Sequence, residues 1–222
     1  MTGQGNLLCI TPSNLGNLGK LVVLTGTPGA GKSTIAGTIA HLEKWVYYEG
    51  DGFTFGYNPY MYDNKSPVDA HSEKAALIGP GMALRWDAIK SSWTNQQPEK
   101  DRSPEYRFFR MMAEDVKRER ERVGGNWVVA NAISKRCERE IIREVLDDAF
   151  FVVLEISYDL VKERLFGREK EKGIAKWLLS EHSKFEVAQA DEPRTVGFKI
   201  LRESTEEENA RAILDLINKA NA

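Results

Sequence analysis

The eight residues Gly26-Thr27-Pro28-Gly29-Ala30-Gly31-Lys32-Ser33 place two glycines five apart and follow the second with Lys and Ser, the spacing of a phosphate-binding loop. The chemistry requires these types. A backbone that curls around a phosphate has no room for a Cβ, and it must turn successive N–H groups inward at the positive end of a helix. Lys32 would reach the β and γ phosphates of a nucleotide, and the Ser33 hydroxyl would ligate Mg²⁺. Thr27, Pro28, Ala30 and Thr34 complete the stretch expected to wrap the nucleotide.

Further along, Glu49-Gly50-Asp51-Gly52 ends a short apolar run, so a carboxylate stands where a strand gives way to a turn. Asp51 is the candidate to orient or deprotonate an attacking hydroxyl and to share the metal; its alternative role is a turn Asp bonded to its own backbone. Arg164 and Arg168 lie four apart, on one face of an expected helix, ahead of Glu169-Lys170-Glu171-Lys172-Gly173. Planar guanidinium groups suit paired phosphate oxygens, so these arginines read as lid residues that close over a nucleotide. The rival reading is a salt-bridged exposed helix face, with Glu163 adjoining it.

These residues need a frame to bring them together. Lys20 to Thr25 is a β-branched apolar run, and a helix is expected to follow the loop to about Lys44. Trp45 to Tyr48, Trp127 to Ala130, Phe150 to Ile156 and Thr195 to Ile200 read as further strands. Helices are expected over Ala70–Trp93, Pro104–Val123, Ser134–Asp147, from a Ser157 cap to Lys172, over Ala175–Gln189, and after a Thr205/Glu208 capping box. Strands alternating with helices predict an α/β fold with a five-stranded parallel sheet covered on both faces. Ligands then bind beyond the strands' carboxyl ends, which would gather the phosphate loop, Asp51 and the residues after Ala130 in one cleft.

At 222 residues the chain suits one domain, residues 20–222, behind a flexible Gly/Asn/Ser-rich lead-in over 1–19. Within it, about 52–123 forms a helical excursion and about 164–190 a lid region. A net charge of -2 gives no general attraction to nucleic acid, and the alternating charges of Lys117 to Arg122 read as a solvated helix face. No apolar run approaches a membrane span. Two distant cysteines, Cys9 and Cys137, and no signal pattern point to a reducing compartment, the cytoplasm. Asn64-Lys65-Ser66-Pro67 lacks the Asp of a guanine-reading motif, and no Asp-x-x-Gly is present, which argues against a signalling GTPase.

Four stretches together resemble the gluconate kinases, within the shikimate/gluconate group of small P-loop kinases. Beside the loop, Gly50-Asp51 is similar to that family's Gly-Asp-Asp, whose first Asp serves the substrate hydroxyl and metal, and Asp101-Arg102-Ser103-Pro104 resembles its substrate-binding Asp-Arg-x-Pro. Val129-Ala130-Asn131-Ala132-Ile133-Ser134-Lys135-Arg136 is similar to its Val-Cys-Ser-Ala-Leu-Lys-Arg, with Ser134 at the Lys position and Lys135 one step later. Tyr158 to Arg168 is similar to its helix leading into the lid. Gly52 replaces the second Asp, no His-Pro follows it, the Asp51–Asp101 stretch is longer, and the lid lacks a His-Phe; these departures fall on the substrate side.

The resemblance implies a three-layer P-loop NTPase fold like that of the nucleoside monophosphate kinases, with a helical substrate segment and a lid. It also implies Mg²⁺ and ATP as cofactors, and Asp51, Arg102 and Lys135 on the substrate. The expected activity is ATP-dependent phosphorylation of a hydroxyl on a small metabolite, a sugar acid or related anionic polyol. The partner expected is that small molecule, with no nucleic acid or membrane and with room for a homodimer. One alternative is a nucleoside or nucleotide kinase, in which the aromatic residues Tyr57, Tyr60, Tyr62, Trp86 and Trp93 would stack a base. An alternative of another class is a nucleotide-binding regulatory protein without kinase activity.

Overall fold

The computed structural model describes residues 18–50, 60–61, 104–133, 135–167 and 175–220. Its centre is β1 (Leu18–Gly26), whose Leu21, Val22, Val23 and Leu24 are all at most 2% exposed. Burial on alternate faces explains why the run is continuously apolar rather than alternating. Val22 and Leu24 face a core shared with α1 (Lys32–Glu43), α4 (Tyr158–Gly167) and α6 (Glu206–Ala220). Leu21 and Val23 face a second core with Phe108, Phe109, Met112 and Val116 of α2 (Pro104–Val123) and Ile142 of α3 (Arg136–Arg143).

On either side of β1 run β4 (Gly125–Ala130) and β5 (Phe150–Glu155), with Val23 opposite Val129 and Phe151. Outside β4 lies β2 (Val46–Glu49), and outside β5 lies β6 (Thr195–Lys199). All four pairings are parallel, so the five-stranded parallel sheet expected from the sequence is present. A two-residue antiparallel strand, β3 (Tyr60–Met61), is added at the β2 edge, giving the order β3-β2-β4-β1-β5-β6. Among the described residues no helix is long and apolar enough to cross a membrane.

Both expected helix caps form. The Ser157 hydroxyl accepts the Leu160 N–H at 3.4 Å, and the Thr205 and Glu208 pair closes reciprocally, with backbone N–H bonds of 2.8 and 3.2 Å. Other boundaries differ from the sequence reading. β1 begins at Leu18, two residues early, and β2 is shifted one residue later, to Val46–Glu49. The helix expected over Ser134–Asp147 is only Arg136–Arg143, and the turns that follow it lead to Asp148, whose carboxylate forms a bidentate pair with Arg120 of α2 at 2.9 and 2.6 Å. The helix expected over Ala175–Gln189 is α5 (Ala175–His182). Beyond it the carbonyls of Glu186 and Val187 accept from Arg139. The helix expected over Ala70–Trp93 and the end of α4 beyond Gly167 lie outside the described residues.

Candidate functional site

β1 delivers the chain directly into the phosphate loop, and α1 leads away from it. Gly26 has φ 144°, and a Cβ there would stand 2.8 Å from the Leu154 carbonyl of β5, so the turn out of the sheet has both the backbone and the space of glycine. Gly31, at φ 90°, is the N-cap of α1; the Ala30 N–H donates to the Thr27 carbonyl at 3.2 Å and the Ile35 N–H to the Gly31 carbonyl at 2.9 Å. The result is a compact loop ending at the positive pole of a 12-residue helix, the geometry that receives an anion.

Lys32 is buried, and its Nζ donates to the Thr27 carbonyl at 2.8 Å, so the ammonium is folded onto its own loop. Ser33 and Thr34 are half-buried in the first turn of α1. From α4, Val161 and Leu165 line the position a Cβ on Gly29 would take, and Arg164 Nη1 donates to the Gly29 carbonyl at 3.4 Å. The fold therefore gathers Gly26 through Thr34 and Arg164, residues 130 positions apart in sequence, around one loop.

The neighbouring strand ends close the cleft. After β4 the buried Asn131 donates its N–H to the Leu24 carbonyl at 3.2 Å, and the Ile133 carbonyl accepts the Gly26 N–H at 3.3 Å. Asn131 also fills the space beside Gly50, where a Cβ would come within 2.2 Å of its amide nitrogen; this close approach accounts for a glycine at the end of β2. Just before it, Glu49 is buried and hydrogen-bonded to the Tyr47 hydroxyl. Lys135 stands before α3, where its backbone N–H donates to Glu138 Oε2 at 3.0 Å. Asp51, Arg102 and Arg168 lie outside the described residues.

The residues present suit a nucleotide's phosphates: the loop turns through the positive-φ glycines 26, 29 and 31, and the Lys32 ammonium lies on the loop itself. Lys32, Ser33 and the loop N–H groups are the residues that would hold phosphate and Mg²⁺.

Two features were not legible as parts of the site. His182, the last residue of α5, places Nδ1 3.4 Å from the Thr27 hydroxyl, and burial pushes its pKa down. On α3, Arg136, Arg139 and Arg143 at i, i+3 and i+7 all grip the segment between α5 and β6. Arg136 donates its backbone N–H to Glu186 and its guanidinium to Asp191, Arg139 forms a fully buried bidentate pair with Glu192 at 2.6 and 2.8 Å, and Arg143 lies 3.6 Å from Glu192 and donates to Thr195, the first residue of β6, at 2.6 Å. The Arg row itself was visible in the sequence, but its partners are about 50 residues away and follow no local pattern.

Comparison with known proteins agrees with this geometry. Among solved structures, a sugar kinase from Janibacter sp. superposes with a TM-score of 0.59 over 90% of this chain and 94% of that one. A gluconokinase from Sinorhizobium meliloti gives 0.55 over 92% and 96%. The APS kinase of Mycobacterium tuberculosis, in complex with AMPPNP and APS, gives 0.54 over 91% and 99%. Each is 19% identical, a likeness of fold. Among curated proteins, ABC transporter G family member 37 of Arabidopsis thaliana is 28% identical over 98 residues, 44% of this chain and 7% of that protein. The chain thus spans a small fraction of that relative's length. The family model described as AAA domain matches residues 22–190, from the heart of β1 to the segment gripped by α3. With its phosphate loop, parallel sheet and a match over more than half of its length, the chain belongs to the AAA domain family.

Proposed function

We propose that this chain is an ATP-dependent kinase that phosphorylates a hydroxyl of a small anionic metabolite of the sugar-acid type. The observation that carries this reading is the meeting of Lys32 and Arg164 on one glycine-turned loop beside the carboxyl ends of β2 and β4. In phosphoryl transfer the protein's work is positioning and charge stabilisation, and a preformed cradle with two cations supplies both. Lys32 would leave the Thr27 carbonyl for the phosphates, and Arg164 would leave the Gly29 carbonyl. Ser33 would hold Mg²⁺, whose chemistry is to neutralise charge on the transferred group. Asp51 follows directly on Gly50, which Asn131 holds against β4; it is the proposed group for the acceptor hydroxyl and the metal. Arg102 and Lys135 are the proposed contacts to an anionic acceptor, and Arg168 joins Arg164 in the proposed lid. The names of the sugar kinase and the gluconokinase among the structural relatives support a polyhydroxylated acceptor.

The APS kinase likeness, at a TM-score of 0.54, favours a second reading with a nucleotide-like acceptor. One assay separates them: ATP consumption with sugar acids, shikimate, nucleosides, nucleoside monophosphates and APS. Turnover on sugar acids supports the first reading and base-dependent turnover the second. Folded protein that binds Mg·ATP but phosphorylates none of these refutes both and leaves a nucleotide-binding regulatory role. Asp51→Asn refines the test, since a kinase loses turnover and keeps nucleotide while a binding module is unaffected.

A further inference from the structure

Thr27 is held at three points. It is fully buried; its carbonyl accepts Lys32 Nζ at 2.8 Å and the Ala30 N–H at 3.2 Å, and its hydroxyl lies 3.4 Å from Nδ1 of His182, 155 residues away in sequence. The His182 ring is itself fixed, with Phe185 stacked at 6.5 Å and an interplanar angle of 11°, and Tyr158 of α4 tilted against it at 5.7 Å. The chain immediately after Phe185 is anchored to α3, where Arg139 bonds the Glu186 and Val187 carbonyls and the buried Glu192 carboxylate. The end of α5 is therefore set by aromatic contacts and a buried ion pair. Among the described residues it is His182 that links α5 to the loop by a polar contact.

We infer that His182 is a positioning residue of the nucleotide site, fixing the Thr27 hydroxyl so that the loop keeps its shape when Lys32 leaves the Thr27 carbonyl for phosphate. This inference rests on the phosphate-loop reading above. When Lys32 leaves, Thr27 keeps the Ala30 N–H within the loop and His182 from outside it, and the His182 contact is the one that ties the loop's shape to a neighbouring element. A histidine suits the task. Burial favours its neutral form, in which one ring nitrogen accepts and the other donates, so it bonds a hydroxyl in either tautomer.

The test uses the full chain, with Mg·ADP and Mg·AMPPNP as probes in isothermal titration calorimetry and nucleotide-free melting as the control. His182→Phe keeps the ring and its stacking but has no nitrogen; His182→Asn keeps a polar group near the Nδ1 position; Thr27→Val removes the hydroxyl and keeps the shape. The expected result is a roughly tenfold weaker Kd for His182→Phe and for Thr27→Val, no further loss in the double variant, and His182→Asn within about twofold of wild type. Wild-type binding by His182→Phe or Thr27→Val overturns the inference. So does equal loss in the Phe and Asn variants at unchanged melting temperature, because packing alone then explains the residue. If His182→Phe melts early, Thr27→Val and its cycle decide from the loop side. Wild-type protein that binds neither nucleotide refutes the phosphate-loop reading instead.

Discussion

Replacing Arg139 with Met tests whether the segment ahead of β6 is fixed by charge or merely covered by it. Both side chains of the Arg139–Glu192 pair are 0% exposed, and the guanidinium makes two bonds to the carboxylate and two longer ones to backbone carbonyls. Removing one member of such a pair leaves a buried charge uncompensated, which costs about 3–5 kcal/mol. Arg143, 3.6 Å from Glu192 Oε2, keeps part of the compensation, so the lower end is expected. For a domain of this size about 3 kcal/mol lowers Tm by roughly 6–12 °C. In urea the midpoint should fall with an unchanged slope, and Arg139→Met/Glu192→Leu should recover most of the loss.

The pH dependence supplies an independent sign. Burial alone would raise the Glu192 carboxyl, but Arg139, the Gln189 N–H and Arg143 outweigh it and hold it below the usual range. In the wild type this ionised carboxylate stabilises above the unfolded pKa, about 4.3, and that contribution is lost as pH falls through the lower folded value. Without Arg139 the burial effect dominates and the folded pKa rises, so the penalty of Arg139→Met should shrink as pH falls from 7 towards 5. A pH-independent loss below about 1 kcal/mol, or simple additivity in the double variant, would refute the view that this ion pair anchors the segment.

Lys32→Ala should abolish phosphoryl transfer while leaving the melting temperature within a few degrees, checked by ATP turnover and calorimetric melting; wild-type turnover would reject the loop as the catalytic cradle. Arg164→Ala should lower kcat by about 10²-fold or more with a smaller change in nucleotide Kd, as measured by steady-state kinetics beside calorimetric titration. Gly50→Ala places a methyl 2.2 Å from the Asn131 amide and 2.9 Å from the Ala130 carbonyl. Because backbone stands behind the amide, about 1–3 kcal/mol of stability should be lost in urea unfolding, and Asn131→Ala in the same chain should recover only part of it.

What was readable in the sequence divides along the range of the interaction. The phosphate loop, the caps at Ser157 and Thr205, and the strands are set by residues within a few positions of one another, so period, spacing and side-chain type were sufficient to find them. Arg164 was singled out by its spacing from Arg168 on one helix face, and its guanidinium lies 3.4 Å from the Gly29 carbonyl. His182 and Arg139 had no such pointer. One is a lone histidine within an expected helix, and the other has its partner, Glu192, 53 residues away. α3 and α5 end earlier than the local pattern indicates, and in the segments beyond them the Asp148 carboxylate pairs with Arg120 and the carbonyls of residues 186 and 187 accept from Arg139, contacts of which a local pattern contains no record. The glycine-turned loop is thus specified locally, and its setting, the side of Thr27 that faces α5 included, is specified by pairs more than a hundred residues apart.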